Sequence, residues 1–206
     1  IKIRKAFISV GGIGLSSIVS TGTVIVSRAD GEVTDLDIKK VLETAENEIP
    51  QATLLNRKII HVIPLQYKTE GKVVHGKVLG MKATKLEVKA LFISCLSQHL
   101  QDLIQAIEET GVEVLDVMAS PIAASFVTLT KAQKIAGCVL ANIGAETVTI
   151  VVFENNIPIS LDVFPIGSTD ITNDIALGLR IPLEEAEQIK TGTITSTHYS
   201  KKKLDE

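Results

Sequence analysis

Tryptophan is absent from the 206 residues, and aromatic residues of all kinds make up only 3% of the sequence. Because 45% of the residues are nevertheless apolar, the core has to be built from Ile, Val, Leu and Ala. An aliphatic, β-branched composition of this kind favours a mixture of sheet and helix. The length leaves room for one large domain or two small ones.

The sequence also lacks any excess of positive charge, since its formal net charge is −3 at pH 7. This balance argues against a nucleic-acid partner. The two cysteines, Cys95 and Cys138, form no CxxC motif, and we expect buried thiols in a reducing compartment. Four histidines are spaced neither as zinc ligands nor as a catalytic triad and are expected to be structural or exposed: His61, His75, His99 and His198.

No apolar run approaches the roughly 20 residues that a membrane-spanning helix needs, and no signal peptide is recognisable. The chain begins without Met, inside a predicted strand, and ends on a polar run at residues 196–206. We therefore interpret the chain as part of a longer protein.

The spacing of the apolar residues predicts alternating strands and helices, which is typical of an α/β protein. Strands are predicted at residues 3–10, 18–27, 58–68, 86–94, 112–118, 138–141, 148–153 and 157–164. Helices are predicted from about residue 34 to before residue 50, and at residues 97–110, 121–129, 168–179 and 182–190. The residues from about 13 to 95 are therefore predicted to form a strand–helix–strand–strand unit.

Three local features of this unit carry specific expectations. Thr34 and Asp37 have the spacing of a capping box, which predicts a helix start at this point. We expect the helix to turn four apolar side chains toward the core: Leu36, Val41, Leu42 and Ala45. Gly22 predicts a bulge or bend in its strand, and Pro64 predicts an edge, a bulge or a break.

The most informative stretch begins at the predicted strand 138–141, which leads into the loop NIGAET at residues 142–147 and a second strand. A small-residue loop between two strands can bring successive backbone N–H groups close to a phosphate. After a third strand, residues 165–176 read PIGSTDITNDIA and residues 186–190 read AEQIK.

These two motifs resemble the FtsA family, the actin homologues of bacterial cell division, which has PIGG, ITNDIA and AExIK at the same spacing. The resemblance extends over nearly the whole chain, most clearly at residues 32–34 and 60–67. It implies an actin-like, ribonuclease-H-like α/β fold with an inserted α+β subdomain of the SHS2 type, called 1C. Residues 1–12 would end the first part of subdomain 1A, and residues 13–95 would form 1C. Residues 96–137 would continue 1A, and residues 138–206 would begin subdomain 2A and end in a polar tail.

The resemblance also implies a cofactor-binding loop, because the family's loop holds the β- and γ-phosphates of ATP through backbone N–H groups and a Thr hydroxyl. The glycines of that loop allow close approach and positive φ, and its leading Asp lies near Mg²⁺ and the attacking water. The corresponding residues are Asn142, Gly144, Ala145, Glu146 and Thr147.

Three of these five residues depart from the family's DIGGGT loop, and Thr149 replaces a further Asp. Asn142 cannot ionise and is a poorer partner for hydrated Mg²⁺. Glu146 places a carboxylate beside the triphosphate, where repulsion at about 4 Å and an effective dielectric of 20 is roughly 4 kcal/mol unless the side chain turns into solvent. Nucleotide binding and an ordinary hairpin turn both stay open, and hydrolysis is doubtful.

A second pair of candidate cofactor-binding residues lies on the last predicted helix. Glu187 and Lys190 are three residues apart and project from one face. The resemblance implies that they approach the ribose and adenine of ATP; the alternative is a surface ion pair. No residue is assigned as a catalytic group or a metal ligand, and Asp170 is explained by the helix dipole.

The resemblance implies a cell-division scaffold with ATP and Mg²⁺ as structural ligands, which assembles the FtsZ ring and tethers it to the cytoplasmic membrane at the division site. The expected partners are FtsZ, other division proteins and further copies that join through 1C. Contact with the membrane would come only from a C-terminal helix outside the chain. One alternative is an actin-like ATPase enzyme, which the altered loop disfavours. The other is a pilus-assembly actin-like scaffold, which the two helix motifs disfavour.

Overall fold

The structure is a computed structural model that describes residues 3–193. The polar run at residues 196–206 and His198, both singled out in the sequence, lie outside the described residues. Within residues 3–193, no helix is long and apolar enough to cross a membrane.

Strands and helices alternate along the described chain, so the α/β class predicted from the sequence is confirmed. The strands are β1 (Lys5–Val10), β2 (Ser16–Ile25), β3 (Arg57–Thr69), β4 (Lys72–Val73), β5 (Lys85–Leu96), β6 (Glu113–Ala119), β7 (Cys138–Ile143), β8 (Val148–Glu154) and β9 (Ile157–Phe164). The helices are α1 (Asp35–Asn47), α2 (Gln51–Leu54), α3 (Ser97–Glu108), α4 (Ser120–Thr128), α5 (Lys131–Ala136), α6 (Ser168–Leu179) and α7 (Leu183–Lys190). Sequence reasoning missed α2 and α5, because helices of 4 and 6 residues are too short to show a helical period.

The strands form three sheets. β1 and β6 pair in parallel, β2-β5-β3-β4 form an antiparallel sheet, and β7-β8-β9 form a second antiparallel sheet. Residues 13–95 thus contribute α1, α2 and the four-stranded sheet except for the last residue of β5. The proposed subdomain boundaries stay predictions.

The start of α1 follows the predicted capping box. The Thr34 hydroxyl accepts a hydrogen bond from the Asp37 N–H at 3.3 Å, and the Asp37 carboxylate accepts one from the Thr34 N–H at 2.9 Å. The buried face of the helix consists of Asp37, Val41 and Ala45, which are spaced by four residues. Leu36 was predicted to point to the core, and this is wrong: it lies beside that face and is 54% exposed.

Gly22 does not mark a bulge, because β2 pairs with β5 in unbroken register from Ser16 to Ile25. A Cβ at Gly22 would lie 2.3 Å from the Val41 carbonyl oxygen and 2.5 Å from the Ala45 nitrogen. Glycine is therefore needed at this position because α1 packs directly on the strand.

The sequence left three alternatives open at Pro64, an edge, a bulge or a break, and the structure shows a bulge. The register of β3 against β5 shifts between Pro64 and Gln66. On the other side of β3, β4 pairs only with Lys68 and Thr69, so Pro64 has a neighbouring strand on one side only.

One hydrophobic core joins the four-stranded sheet to the three-stranded sheet. It contains Leu91 and Ile93 from β5 together with Val151, Phe153 and Leu161 from β8 and β9. Two polar contacts reinforce it. Ser17 Oγ donates to the Leu161 carbonyl at 2.8 Å, and His61 Nε2 accepts the Ala119 N–H at 3.0 Å. Cys95 is buried in the same core, and half-buried Cys138 packs against it. The β7–β8 hairpin therefore packs on the core that the two sheets share.

Candidate functional site

The loop predicted to hold phosphate is the tip of the β7–β8 hairpin. β7 continues two residues beyond the prediction, so that Asn142 pairs with Thr149 and Ile143 with Val148. The loop itself is then Gly144–Thr147, and the Gly144 N–H closes it with a 2.8 Å hydrogen bond to the Thr147 carbonyl. Asn142 therefore belongs to the strand that leads into the loop.

Three consecutive backbone N–H groups in this loop are available as donors. Those of Ala145, Glu146 and Thr147 make no hydrogen bond to any part of the chain that the structure describes. The side chains of Ala145 and Glu146 are exposed, and Glu146 forms no ion pair within residues 3–193. Successive backbone N–H groups in a turn form an anion-binding concavity.

The loop uses no positive φ, although the glycines of the family pattern would allow it. None of the residues Gly144, Ala145, Glu146 and Thr147 has a positive φ. Ala145 and Glu146, which replace glycines of the family pattern, therefore cause no backbone strain here. A Cβ at Gly144 would lie 3.1 Å from the Thr147 carbonyl oxygen, so this glycine serves the tight closure of the loop.

The N-terminus of α6 supports the loop from behind. The Ser168 N–H donates to the Gly144 carbonyl and the Thr169 N–H to the Ala145 carbonyl, both at 2.9 Å. The Asp170 carboxylate accepts the Gly167 N–H at 2.7 Å, a capping-box contact that was not predicted, since only an interaction with the helix dipole was expected for this residue. The first N–H groups of α6 thus hold the loop, and the free donors for an anion are those of the loop itself.

Gly167 is a site residue that sequence reasoning did not select. A Cβ at this position would lie 2.2 Å from the Ala145 carbonyl oxygen and 2.7 Å from the Glu146 nitrogen. Any side chain would therefore push α6 away from the loop. The available signal was a glycine directly before the helix in the PIGS motif, but its partner in the loop lies about twenty residues upstream.

Glu187 and Lys190 form the ion pair that was the alternative expectation, at 2.6 Å. Thr172 joins them: its hydroxyl donates to Glu187 Oε2 at 2.6 Å and accepts from Lys190 Nζ at 2.8 Å. Lys190 Nζ also donates to the Ser168 carbonyl at 3.1 Å. The hydrogen bonds from Lys190 and Thr172 lower the pKa of Glu187. Contact of the pair with ribose or adenine stays a prediction.

The two halves of the candidate site meet at Ser168. Its carbonyl accepts from Lys190, and its N–H donates to the carbonyl of Gly144. The structure thus brings the loop and the Glu187–Lys190 pair to the same end of α6. Thr172, which links them, was not selected from the sequence; its place inside the ITNDIA motif was the only signal.

The residues at this site suit phosphate better than a metal ion. The free N–H groups can bind phosphate oxygens, whereas Asn142 and Thr149 supply neutral oxygens at the two positions where the family pattern has Asp. No group of three His, Cys, Asp or Glu side chains within residues 3–193 could hold a metal ion. Mg²⁺ that entered with ATP would be held mainly by the phosphates and water.

Two family models match the chain. One, described as the cell division protein FtsA, matches residues 139–205. The other, described as the SHS2 domain inserted in FtsA, matches residues 12–94.

Curated relatives give the same result over most of the chain. The cell division protein FtsA of Bacillus subtilis (strain 168) is 34% identical over 189 residues, which is 91% of this chain and 42% of that protein. The protein of the same name from Pseudomonas aeruginosa is 31% identical over 92% of this chain and 44% of its own length. The chain therefore spans less than half the length of these relatives.

A solved structure supports the fold. The PilM-PilN type IV pilus biogenesis complex contains a chain that matches with a TM-score of 0.58 over 92% of this chain and 52% of its own length. The sequence identity is only 18%. This likeness shows a shared fold alone.

Proposed function

The chain belongs to the FtsA family of bacterial cell-division proteins, and on that premise we propose that the full-length protein is a division-site scaffold that binds ATP as a structural ligand. The observation that carries the proposal is the loop Gly144–Thr147, with three consecutive free N–H groups fixed against α6. Such a loop can hold phosphate oxygens without any charged side chain.

The same loop argues against a function that depends on ATP hydrolysis. Asn142 and Thr149 face each other in a regular strand pair. Because one is an amide and the other a hydroxyl, neither offers a carboxylate to the metal or to an attacking water. General-base assistance typically contributes a factor of about 10²–10⁴ to a rate. We therefore expect slow hydrolysis and a nucleotide that orders the site.

The remaining parts of the proposal follow from the family. The scaffold would recruit FtsZ and other division proteins, tether them at the cytoplasmic face of the membrane, and join further copies through residues 13–95. The membrane contact would come from an amphipathic helix outside this chain. The similarity to the pilus protein concerns the fold only.

The test uses the full-length protein, FtsZ and lipid vesicles. ATP affinity is measured by calorimetry, hydrolysis by phosphate release, and recruitment of FtsZ by co-sedimentation with the vesicles. A structural role predicts equal recruitment with ATP and with a non-hydrolysable analogue. Recruitment that requires hydrolysable ATP would favour an ATPase enzyme, and the absence of ATP binding would remove the nucleotide from the proposal.

A further inference from the structure

Thr172 stands at the centre of a set of contacts between α6 and α7 that the sequence motifs did not identify. Its side chain is buried, with 5% of the residue exposed. Its hydroxyl lies 2.6 Å from Glu187 Oε2, 2.8 Å from Lys190 Nζ and 3.3 Å from the Ser168 carbonyl oxygen. A hydroxyl has one proton to donate. The Glu187 carboxylate is the strongest of the nearby acceptors and the nearest, so it receives this proton.

The Lys190 ammonium is engaged by the chain itself in this arrangement. It donates to Thr172 Oγ1 at 2.8 Å and to the Ser168 carbonyl at 3.1 Å, and it forms an ion pair with Glu187 Oε2 at 2.6 Å. The lysine side chain is only 18% exposed. Glu187 is different, because its side chain is 50% exposed and the described residues leave its Oε1 without a hydrogen bond.

We propose that Thr172 is a positioning residue for the proposed nucleotide site. Its hydroxyl fixes Lys190 as a structural link to the loop Gly144–Thr147. The proposal rests on the proposed binding of ATP.

The path from Thr172 to the loop is continuous. Thr172 orients Lys190, Lys190 holds the carbonyl of Ser168, and the N–H of Ser168 holds the carbonyl of Gly144. Ala145 and Glu146, which carry free N–H groups, are the next two residues after Gly144. Removing the hydroxyl should therefore loosen the loop and weaken every ligand that binds through phosphate, whether or not it carries a nucleoside.

The experiment compares Thr172→Val, which keeps the shape and removes the hydroxyl, with Thr172→Ser, which restores it. Thr128→Val is the control for loss of a helical threonine hydroxyl, because Thr128 Oγ1 donates only to the carbonyl four residues earlier in its own helix, α4. In the full-length protein, affinities for ATP and for inorganic tripolyphosphate are measured by calorimetry. Hydrogen exchange of the Ser168 and Thr169 amides is measured without any ligand.

We expect Thr172→Val to weaken ATP and tripolyphosphate by the same factor, about tenfold for one charge-assisted hydrogen bond, and to speed exchange at both amides. Thr172→Ser should restore both properties, and Thr128→Val should change neither. Loss of ATP affinity with unchanged tripolyphosphate affinity would overturn the proposal, because the pair would then act on the nucleoside. Unchanged exchange would overturn it too. If the unmodified protein binds neither ligand, the proposed function fails, while the exchange measurement still decides whether Thr172 holds the loop.

Discussion

Asp37 is the side chain whose removal should cost most stability for the smallest change in shape. The residue is completely buried, and its carboxylate accepts four hydrogen bonds. One oxygen accepts the N–H and the hydroxyl of Ser27 at 3.0 and 2.8 Å. The other oxygen accepts the N–H and the hydroxyl of Thr34 at 2.9 and 2.6 Å. These bonds join the end of β2 to the start of α1.

Asp37→Asn keeps the volume but replaces one oxygen by an NH₂ group. A hydroxyl can rotate to accept from the new amide, but a backbone N–H cannot. Either the Ser27 or the Thr34 N–H is therefore left buried and opposed to another donor. An unsatisfied buried donor costs about 1–3 kcal/mol, and bonds to a charged acceptor are stronger than neutral ones. We expect the free energy of unfolding to fall by about 2–4 kcal/mol.

The measurement is urea unfolding of the 206-residue chain, with Asp35→Asn as the matched control. Asp35 is the first residue of the same helix and is exposed, so its replacement removes only an interaction with the helix dipole, about 0.3–1 kcal/mol. Equal losses in the two variants would show that the four hydrogen bonds do not stabilise the fold beyond simple charge effects.

The pH dependence gives a second check on Asp37. The hydrogen bond from the Thr34 hydroxyl is the largest cause that holds the pKa of the carboxyl well below its usual range, against the opposing effect of burial. A lowered pKa in the folded state means that the stabilisation is present above the unfolded pKa, about 3.9, and is lost as the pH falls through the folded value. The acid limb of the stability curve should therefore be flatter in Asp37→Asn.

Three further perturbations test other parts of the structure. Gly22→Ala should lower the free energy of unfolding by at least about 1–3 kcal/mol, since its Cβ would meet α1 backbone atoms at 2.3 Å and 2.5 Å. His61 has a pKa lowered by burial, partly opposed by Asp116, so its contribution to stability is present above about pH 6.5 and is lost as the pH falls through the folded value. His61→Gln should flatten that part of a urea-unfolding series. Glu146→Gln should tighten ATP binding of the full-length protein by roughly 1 kcal/mol or less, since an exposed carboxylate is screened. It should match the double change of Ala145 and Glu146 to glycine in calorimetry, because the loop uses no positive φ.

Each of these expectations has a clear contrary result. Gly178→Ala, in the open interior of α6, should be neutral or stabilising by up to about 1 kcal/mol, so a loss equal to that of Gly22→Ala would refute the packing explanation. An unchanged pH series in His61→Gln would mean that the histidine is not the titrating group. A double-glycine variant that binds ATP much more tightly than Glu146→Gln would show that the backbone of the loop has to change on binding.

Local patterns in the sequence predicted local structure well. Thr34 and Asp37 are three residues apart, and their capping box follows from short-range geometry alone. The hairpin loop and the start of α6 were likewise found from motifs. The reasons for Gly22 and Gly167 could not be found this way, because each is set by a backbone segment about twenty residues distant. Thr172 was missed for the same reason, since its partners lie on another helix.

The core shared by the two antiparallel sheets limits how modular the inserted unit is. Residues 13–95 are contiguous in sequence, yet Leu91 and Ile93 are 1% and 0% exposed in a core that they share with Val151, Phe153 and Leu161. Cutting the unit out of the chain would open this face to water, at about 1.5–3 kcal/mol for each large aliphatic side chain. An excised unit, or one grafted onto another protein, would therefore expose an apolar face that is prone to aggregation. Transplanting it would require polar replacements at Leu91 and Ile93.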